Sequence, residues 1–211
     1  MTGYLSESIL KRAKEDKKIA VTFYNPCDYE LDLKKRIDDK PYGGGPGMVI
    51  RALPVIKAIE AAIKVAKKKR GGNVKIKIIF LSPSGTQFTN AYAKKVAKQY
   101  SDVLIVAGRY EGIDARIKKV FRMEDLSVGP FILTGGELPA LILVDVIARQ
   151  IPGVLGATDS VEETRVASPD VYTRPESFTY KGKTLRVPKI LLSGHHKKIE
   201  AWRMKKIKGK V

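Results

Sequence analysis

The chain has 211 residues, 44% hydrophobic, 8% aromatic and 29% charged; this fits one sizeable globular domain, or one with a small appendage, and excludes disordered, collagen-like and disulfide-framed chains. Forty Lys and Arg against 22 Asp and Glu leave a formal charge of +18, an excess that concerns partners rather than fold and points to a polyanion. Cys27 is the single cysteine and there are two histidines, too few for a disulfide or an unaided four-ligand zinc site. The first turn of sequence lacks the apolar core of a secretory signal, and the longest apolar stretch, ALILVDVIA, is too short to span a bilayer and is broken by Asp145. A cytoplasmic protein without a membrane segment is expected.

In chain order, apolar residues recur at helical spacing over residues 9–13, and KIAVTFY follows as a short β-rich run. The string PYGGGPGM, residues 41–48, then leads into a second helix over 53–65. VKIKIIFL and DVLIVAG read as strands, with a helix over 88–100 between them, and a further helix is expected over 138–149 after an apolar strand that ends at Leu133. Strands alternating with helices predict an α/β domain with a mostly parallel sheet, doubly wound by default. After Arg149 the periodicity stops and Pro, Gly, Ser and Thr dominate, so residues 1–150 are set apart from a linker over 151–170 and a basic domain over 171–211. Within that last segment KTLRVPKILL reads as extended, and Ser193 as the N-cap of a final helix. Residues 181–211 hold eleven Lys and Arg against one acid, Glu200, which concentrates the polyanion footprint in the tail.

Three polar, glycine-bearing turns stand at the expected carboxyl ends of strands: LSPSG from Leu81, GRYEGID from Gly108 and LTGGELP from Leu133. Open α/β sheets bind ligands there, so the three could build one pocket, although any one of them alone is an ordinary turn. Arg109, Tyr110 and Glu111 place a cation, a ring and a carboxylate in one turn, a combination expensive to bury without partners. The run 41–48 is either a connector or a loop that lets a ligand approach backbone N–H groups, and its two prolines stiffen it beyond what a connector needs. Neither standard phosphate motif is present; Ser177 stands where a P-loop ending in Gly182-Lys183-Thr184 needs its first glycine.

PYGGGPGM, LSPSG, GRYEGID, SVGPFILTGGELPA, IPGVLG, YTRPE and LLSGHHKKIEAWR stand in the order and near the spacing of bacterial tRNA (guanine-N1-)-methyltransferases, and the chain resembles that family, TrmD, from about Thr2 to Trp202. The resemblance implies a SPOUT-like fold: a parallel α/β domain with a deep trefoil knot, followed by a small helical C-terminal domain. It also implies S-adenosylmethionine as methyl donor, N1 of the guanine at position 37 of tRNA as acceptor, a magnesium requirement without identifiable protein ligands, and a homodimer whose sites lie at the subunit interface. Carried over by motif, the cofactor pocket takes Leu81, Ser82 and Pro83 from the first turn and Gly108, Tyr110 and Glu111 from the second. Ser127, Val128, Gly129, Phe131, Leu133, Gly135, Gly136 and Pro139 complete it from the knot. Substrate contacts fall on Tyr42, Gly45, Pro46, Gly47 and Met48 and, in the tail, on Ser193, His196, Trp202 and Arg203.

By the same resemblance Arg149 is the catalytic arginine, able to stabilise negative charge on the guanine carbonyl oxygen, where a lone arginine at a helix end otherwise serves the dipole. The family places an Asp before a Ser in the linker as general base; here Glu163 before Thr164 is the nearest match, with Glu162, Asp159 and Asp170 behind it. Family members also begin with a strand of the type IDIITLFPE, absent here, and extend further beyond Trp202, so a shortened form is expected. Two other readings stand beside the enzyme: a basic RNA-binding protein without catalysis, and a related knotted methyltransferase acting on ribosomal RNA.

Overall fold

The structure, a computed structural model, describes residues 2–30, 36–72, 74–155 and 170–208. It divides into two compact units, Met1–Leu155 and Gly156–Val211.

The first unit opens with a turn of 3-10 helix, Tyr4–Ser6, and helix α1, Ser8–Glu15, whose apolar face buries Leu10 and Ala13. KIAVTFY, expected as a strand, is not one. Its alternation survives as far as Thr22, with Ile19 and Val21 packed on the cluster of Leu5, Leu10, Ala13, Ala148 and Val154 and Ala20 and Thr22 exposed, and breaks at the exposed Phe23. Among the described residues, however, no neighbouring strand completes a ladder with it, and pairing, not alternation, makes a strand. Two short strands, β1 (Asp38–Asp39) and β2 (Val49–Ile50), pair antiparallel around the glycine-rich run. Helix α2, Ala52–Arg70, tolerates Pro54 in its first turn and ends in Lys67, Lys68, Lys69 and Arg70, cations that suit the negative end of the helix dipole.

Strand β3, Ile76–Gln87, is followed by α3 (Asn90–Gln99), β4 (Asp102–Val106), the short α4 (Ile117–Val120), β5 (Glu124–Ser127) and α5 (Glu137–Arg149). The three strands form one parallel sheet in the order β4-β3-β5. Side chains alternate across it: Ile79 and Leu81 face the cluster that holds Val96 of α3 and Leu143 of α5, while Ile78 and Phe80 face the cluster that holds Val55 and Ile59 of α2. Apolar residues on both faces are what a parallel sheet covered by helices on each side requires.

Two sequence readings of this region change. LSPSG does not end its strand: the β3–β5 register runs to Leu81↔Leu126, is interrupted, and resumes at Thr86↔Leu126, so Ser82 to Gly85 bulge out of a continuing strand. The apolar run ending at Leu133 is not a strand either; β5 stops at Ser127, and Gly129-Pro130 cannot carry a ladder onward.

In the second unit, β6 (Ser177–Tyr180) and β7 (Lys183–Arg186) form an antiparallel hairpin, followed by α6 (Lys189–Leu192) and α7 (His196–Lys208). The unit is therefore not purely helical, and the first hairpin strand went unread because SFTY is short and half polar. Ser193 is not the N-cap of the last helix. It closes α6, with Oγ donating to the Ile190 carbonyl at 2.7 Å and accepting from His195 N–H at 3.3 Å.

Candidate active site

At the carboxyl edge of the sheet three turns meet around a cavity of about 270 Å³. Leu81, Ser82 and Pro83 come from the bulge in β3; Gly108 to Gly112 come from the turn after β4. The segment after β5 supplies Ser127, Val128 and Phe131 to Gly136, and Pro139 adds the first turn of α5. Hydrogen bonds fix these pieces to one another. Gly136 N–H donates to the Gly108 carbonyl at 2.7 Å, Arg109 pairs with Gly135 as an isolated antiparallel bridge, and Arg109 Nε reaches Glu137 Oε1 at 2.5 Å. That last contact holds the Arg109 guanidinium well above its ordinary value. Glu137, although desolvated, stays below the usual carboxylate range because Arg109 and the backbone stabilise its charge.

Gly136 shows why a glycine stands where the second and third turns touch. A Cβ there would lie 2.8 Å from both Cα and Cβ of Ala107, closer than carbon atoms approach. Ser127 is buried and folds the segment locally, donating from Oγ to the Gly129 carbonyl at 2.9 Å and accepting from Gly129 N–H at 3.2 Å. Of the residues expected in the cofactor pocket, only Gly129 lies outside the lining. The Phe131 ring covers it, with Cε1 2.2 Å from where a Gly129 Cβ would stand. Sequence reasoning missed Leu126, Ile132 and Thr134 in the wall, along with Arg109 and Gly112. Leu126 reads from sequence as strand core, and Ile132, at 85% exposure, as an ordinary surface residue. The turn motif itself was the available signal for Arg109 and Gly112.

The glycine-rich loop is built against the second turn. Gly43, Gly44, Gly45 and Gly47 all have positive φ, between +80° and +109°, which residues with a Cβ rarely adopt. Gly47 packs on Glu111, whose Oε1 is 2.6 Å from the position of an added Cβ, and Glu111 N–H donates to the Met48 carbonyl at 3.1 Å. Tyr42 at the loop's edge is fully exposed. Asp38, buried beneath the loop, is held below the usual carboxylate range by the Arg36 guanidinium at 2.8 Å and also by the Tyr110 hydroxyl. The loop, the β1–β2 pair and the GRYEG turn thus form one connected wall.

Arg149 is half-buried at the far end of α5. With a rise of about 1.5 Å per residue, the helix separates it from Gly136 by about 20 Å, and it does not line the cavity. Glu163, Glu162 and Asp159 lie outside the described residues; Asp170 pairs with Lys206 at 3.5 Å. In the second unit Ser193, His196 and Arg203 are exposed, and Lys206 sits 5.8 Å from the Trp202 ring. Among the described residues no group of three or more His, Cys, Asp or Glu could hold a metal ion, and no helix is long and apolar enough to cross a membrane.

Comparison with known proteins gives a consistent result. A family model described as tRNA (Guanine-1)-methyltransferase TrmD matches residues 1–211. The tRNA (guanine-N(1)-)-methyltransferase of Pseudoalteromonas atlantica is 42% identical over 211 residues, covering 98% of this chain and 76% of that protein. The protein of the same description from Pseudomonas aeruginosa strain LESB58 is 42% identical over 206 residues, 96% of this chain and 78% of its own length. The one from Thermomicrobium roseum is 41% identical over 205 residues, 96% and 72%.

Proposed function

This chain belongs to the tRNA (guanine-1)-methyltransferase family TrmD, and from that premise we propose that it transfers a methyl group from S-adenosylmethionine to N1 of the guanine at position 37 of cytoplasmic tRNA. The observation that carries this reading is the convergence of the three turns on one cavity at the carboxyl edge of a parallel sheet. The cavity suits the donor. Leu81, Val128 and Leu133 offer apolar surfaces for a flat ring, and backbone groups of the turns can read its polar edge. Bound there, S-adenosylmethionine supplies an electrophilic methyl group on its sulfonium.

The remaining work falls to the chain. Methylation at N1 requires that atom's proton to leave, and Glu163 is the residue we assign to accept it. As the proton departs, negative charge grows on the guanine carbonyl oxygen, where the Arg149 guanidinium stabilises it. The turns and the glycine-rich loop orient donor and base so that attack runs in line with the breaking bond. A homodimer brings Arg149 of one protomer to the cavity of the other, and the tail binds the tRNA. We also infer that the segment from Ser127 to Pro139 belongs to a trefoil knot, a reading supported by the ties of Gly136 to Gly108 and of Gly135 to Arg109. The family's magnesium finds no matching donor set among the described residues.

Methyl transfer from labelled S-adenosylmethionine to tRNA transcripts with guanine or adenine at position 37 tests the reading. Transfer is expected only to the guanine form; equal transfer to both, or to neither, overturns it. Glu163→Gln should slow single-turnover transfer by about a hundredfold or more, the usual scale of general-base catalysis. A parental rate in that variant would move the base elsewhere.

A further inference from the structure

The β6–β7 hairpin has both faces exposed, an arrangement that is marginal for an isolated two-stranded ribbon. Its turn, Lys181-Gly182, has positive φ at both residues, 46° and 76°, the tight geometry that holds two strands in fixed register. The register sorts the side chains. Phe178 stands opposite Leu185 and Tyr180 opposite Lys183, so these four share one face, while Ser177, Arg186, Thr179 and Thr184 share the other. On the first face Phe178, Tyr180 and Leu185 are 56%, 61% and 48% exposed, and Lys181 at the turn lies 5.5 Å from the Tyr180 ring. Residues 177–186 contain three cations and no acid.

We propose that this face is a base-stacking platform for RNA, with Phe178 and Tyr180 taking unstacked bases and Lys181 and Lys183 taking the adjoining phosphates. Exposed rings held in fixed register, with Lys181 and Lys183 beside the Tyr180 ring, fit single-stranded nucleic acid: every base has a π face, and the backbone beside it is anionic. A purely apolar docking face for protein would carry fewer cations at its centre. Resting on the tRNA reading above, the proposal narrows it to loop nucleotides of tRNA and to a hairpin whose two rings neither the charge pattern nor the family motifs single out.

The test measures equilibrium binding of an unmodified tRNA transcript to the full chain, with S-adenosylmethionine affinity followed by calorimetry as a check on the first unit. Phe178→Ala with Tyr180→Ala should weaken tRNA binding by roughly ten- to a hundredfold, the scale of lost base stacking. Phe178→Tyr with Tyr180→Phe should restore it, whereas Phe178→Leu with Tyr180→Leu should not, because leucine keeps the apolar area and loses the stack. Lys181→Ala with Lys183→Ala, which leaves the rings in place, should flatten the salt dependence of binding. Parental affinity in the alanine pair overturns the platform. So does rescue by leucine, which would mark a protein contact, or dissociation of oligomers by the alanine pair, which would mark a second copy of the chain as occupant. Because the readout is binding rather than methylation, a hairpin that binds tRNA in a protein unable to methylate it refutes the functional reading alone.

Discussion

Gly136 concentrates the chemistry of the site in a missing atom. Ala107 leaves no space for a Cβ there, so Gly136→Val must separate the second turn from the third and distort the cavity wall between them. Calorimetry should show S-adenosylmethionine binding abolished in this variant, with its helical circular dichroism retained; an unchanged affinity would remove the turns from the donor site. Asp38 yields a second prediction at this scale. Arg36 depresses its folded pKa below the ordinary 3.8, so the pair's stabilising effect is present above that value and is lost as the pH falls through the folded one. Asp38→Asn should therefore lower urea-unfolding stability at pH 7, with the difference from the parent closing as the pH falls below 3.8 and through the depressed folded value. The pocket's glycines were readable because close approach leaves a compositional trace. Ile132 left none, since its place in the wall depends on a loop path that no local pattern encodes.

The helices were legible as elements, and α3 shows the physical reason. Thr89 accepts from Tyr92 N–H at 3.2 Å through its hydroxyl, and Ala93 and Val96 then recur on the buried face, so cap and period agree. Thr89→Ala should cost about 1 kcal/mol of stability, read by chemical denaturation, and should leave S-adenosylmethionine affinity at the parental value because the cap faces away from the cavity lining. Strands were less legible. KIAVTFY has the composition and alternation of a strand and lacks a partner, which lies elsewhere in sequence by definition. The bulge at Ser82 to Gly85 was equally hidden, because LSPSG carries the same residues whether it ends a strand or interrupts one; only the resumed register with Leu126 distinguishes the two. What sequence conveyed for the functional turns was their chemistry, and what it withheld was their setting.

At the scale of the whole molecule, the separation of the cavity from Arg149 is the central constraint. Gly136 at the cavity and Arg149 stand at opposite ends of α5, about 20 Å apart along a 13-residue helix, too far for one guanidinium to reach a base presented at the cavity of the same protomer. At the cavity end of α5 the surface is apolar and exposed, with Ile132 at 85%, Leu138 at 56% and Phe131 at 52%, an unusual cover for a face in contact with water. A second protomer packed on α5 about a two-fold axis would bury that face and carry its own Arg149 toward the first cavity. Complementation tests this directly. Arg149→Ala lacks the arginine and Gly136→Val lacks the donor pocket, so each variant alone should be inactive. If the sites are shared, a dimer containing one of each has one intact site, with the cavity of the first and the arginine of the second. Unfolded together in equal amounts and refolded, the two should recover about a quarter of parental methylation, because half the dimers are mixed and half of their sites are whole. Sites contained within single protomers would give no recovery at all, since every protomer in the mixture carries one of the two defects.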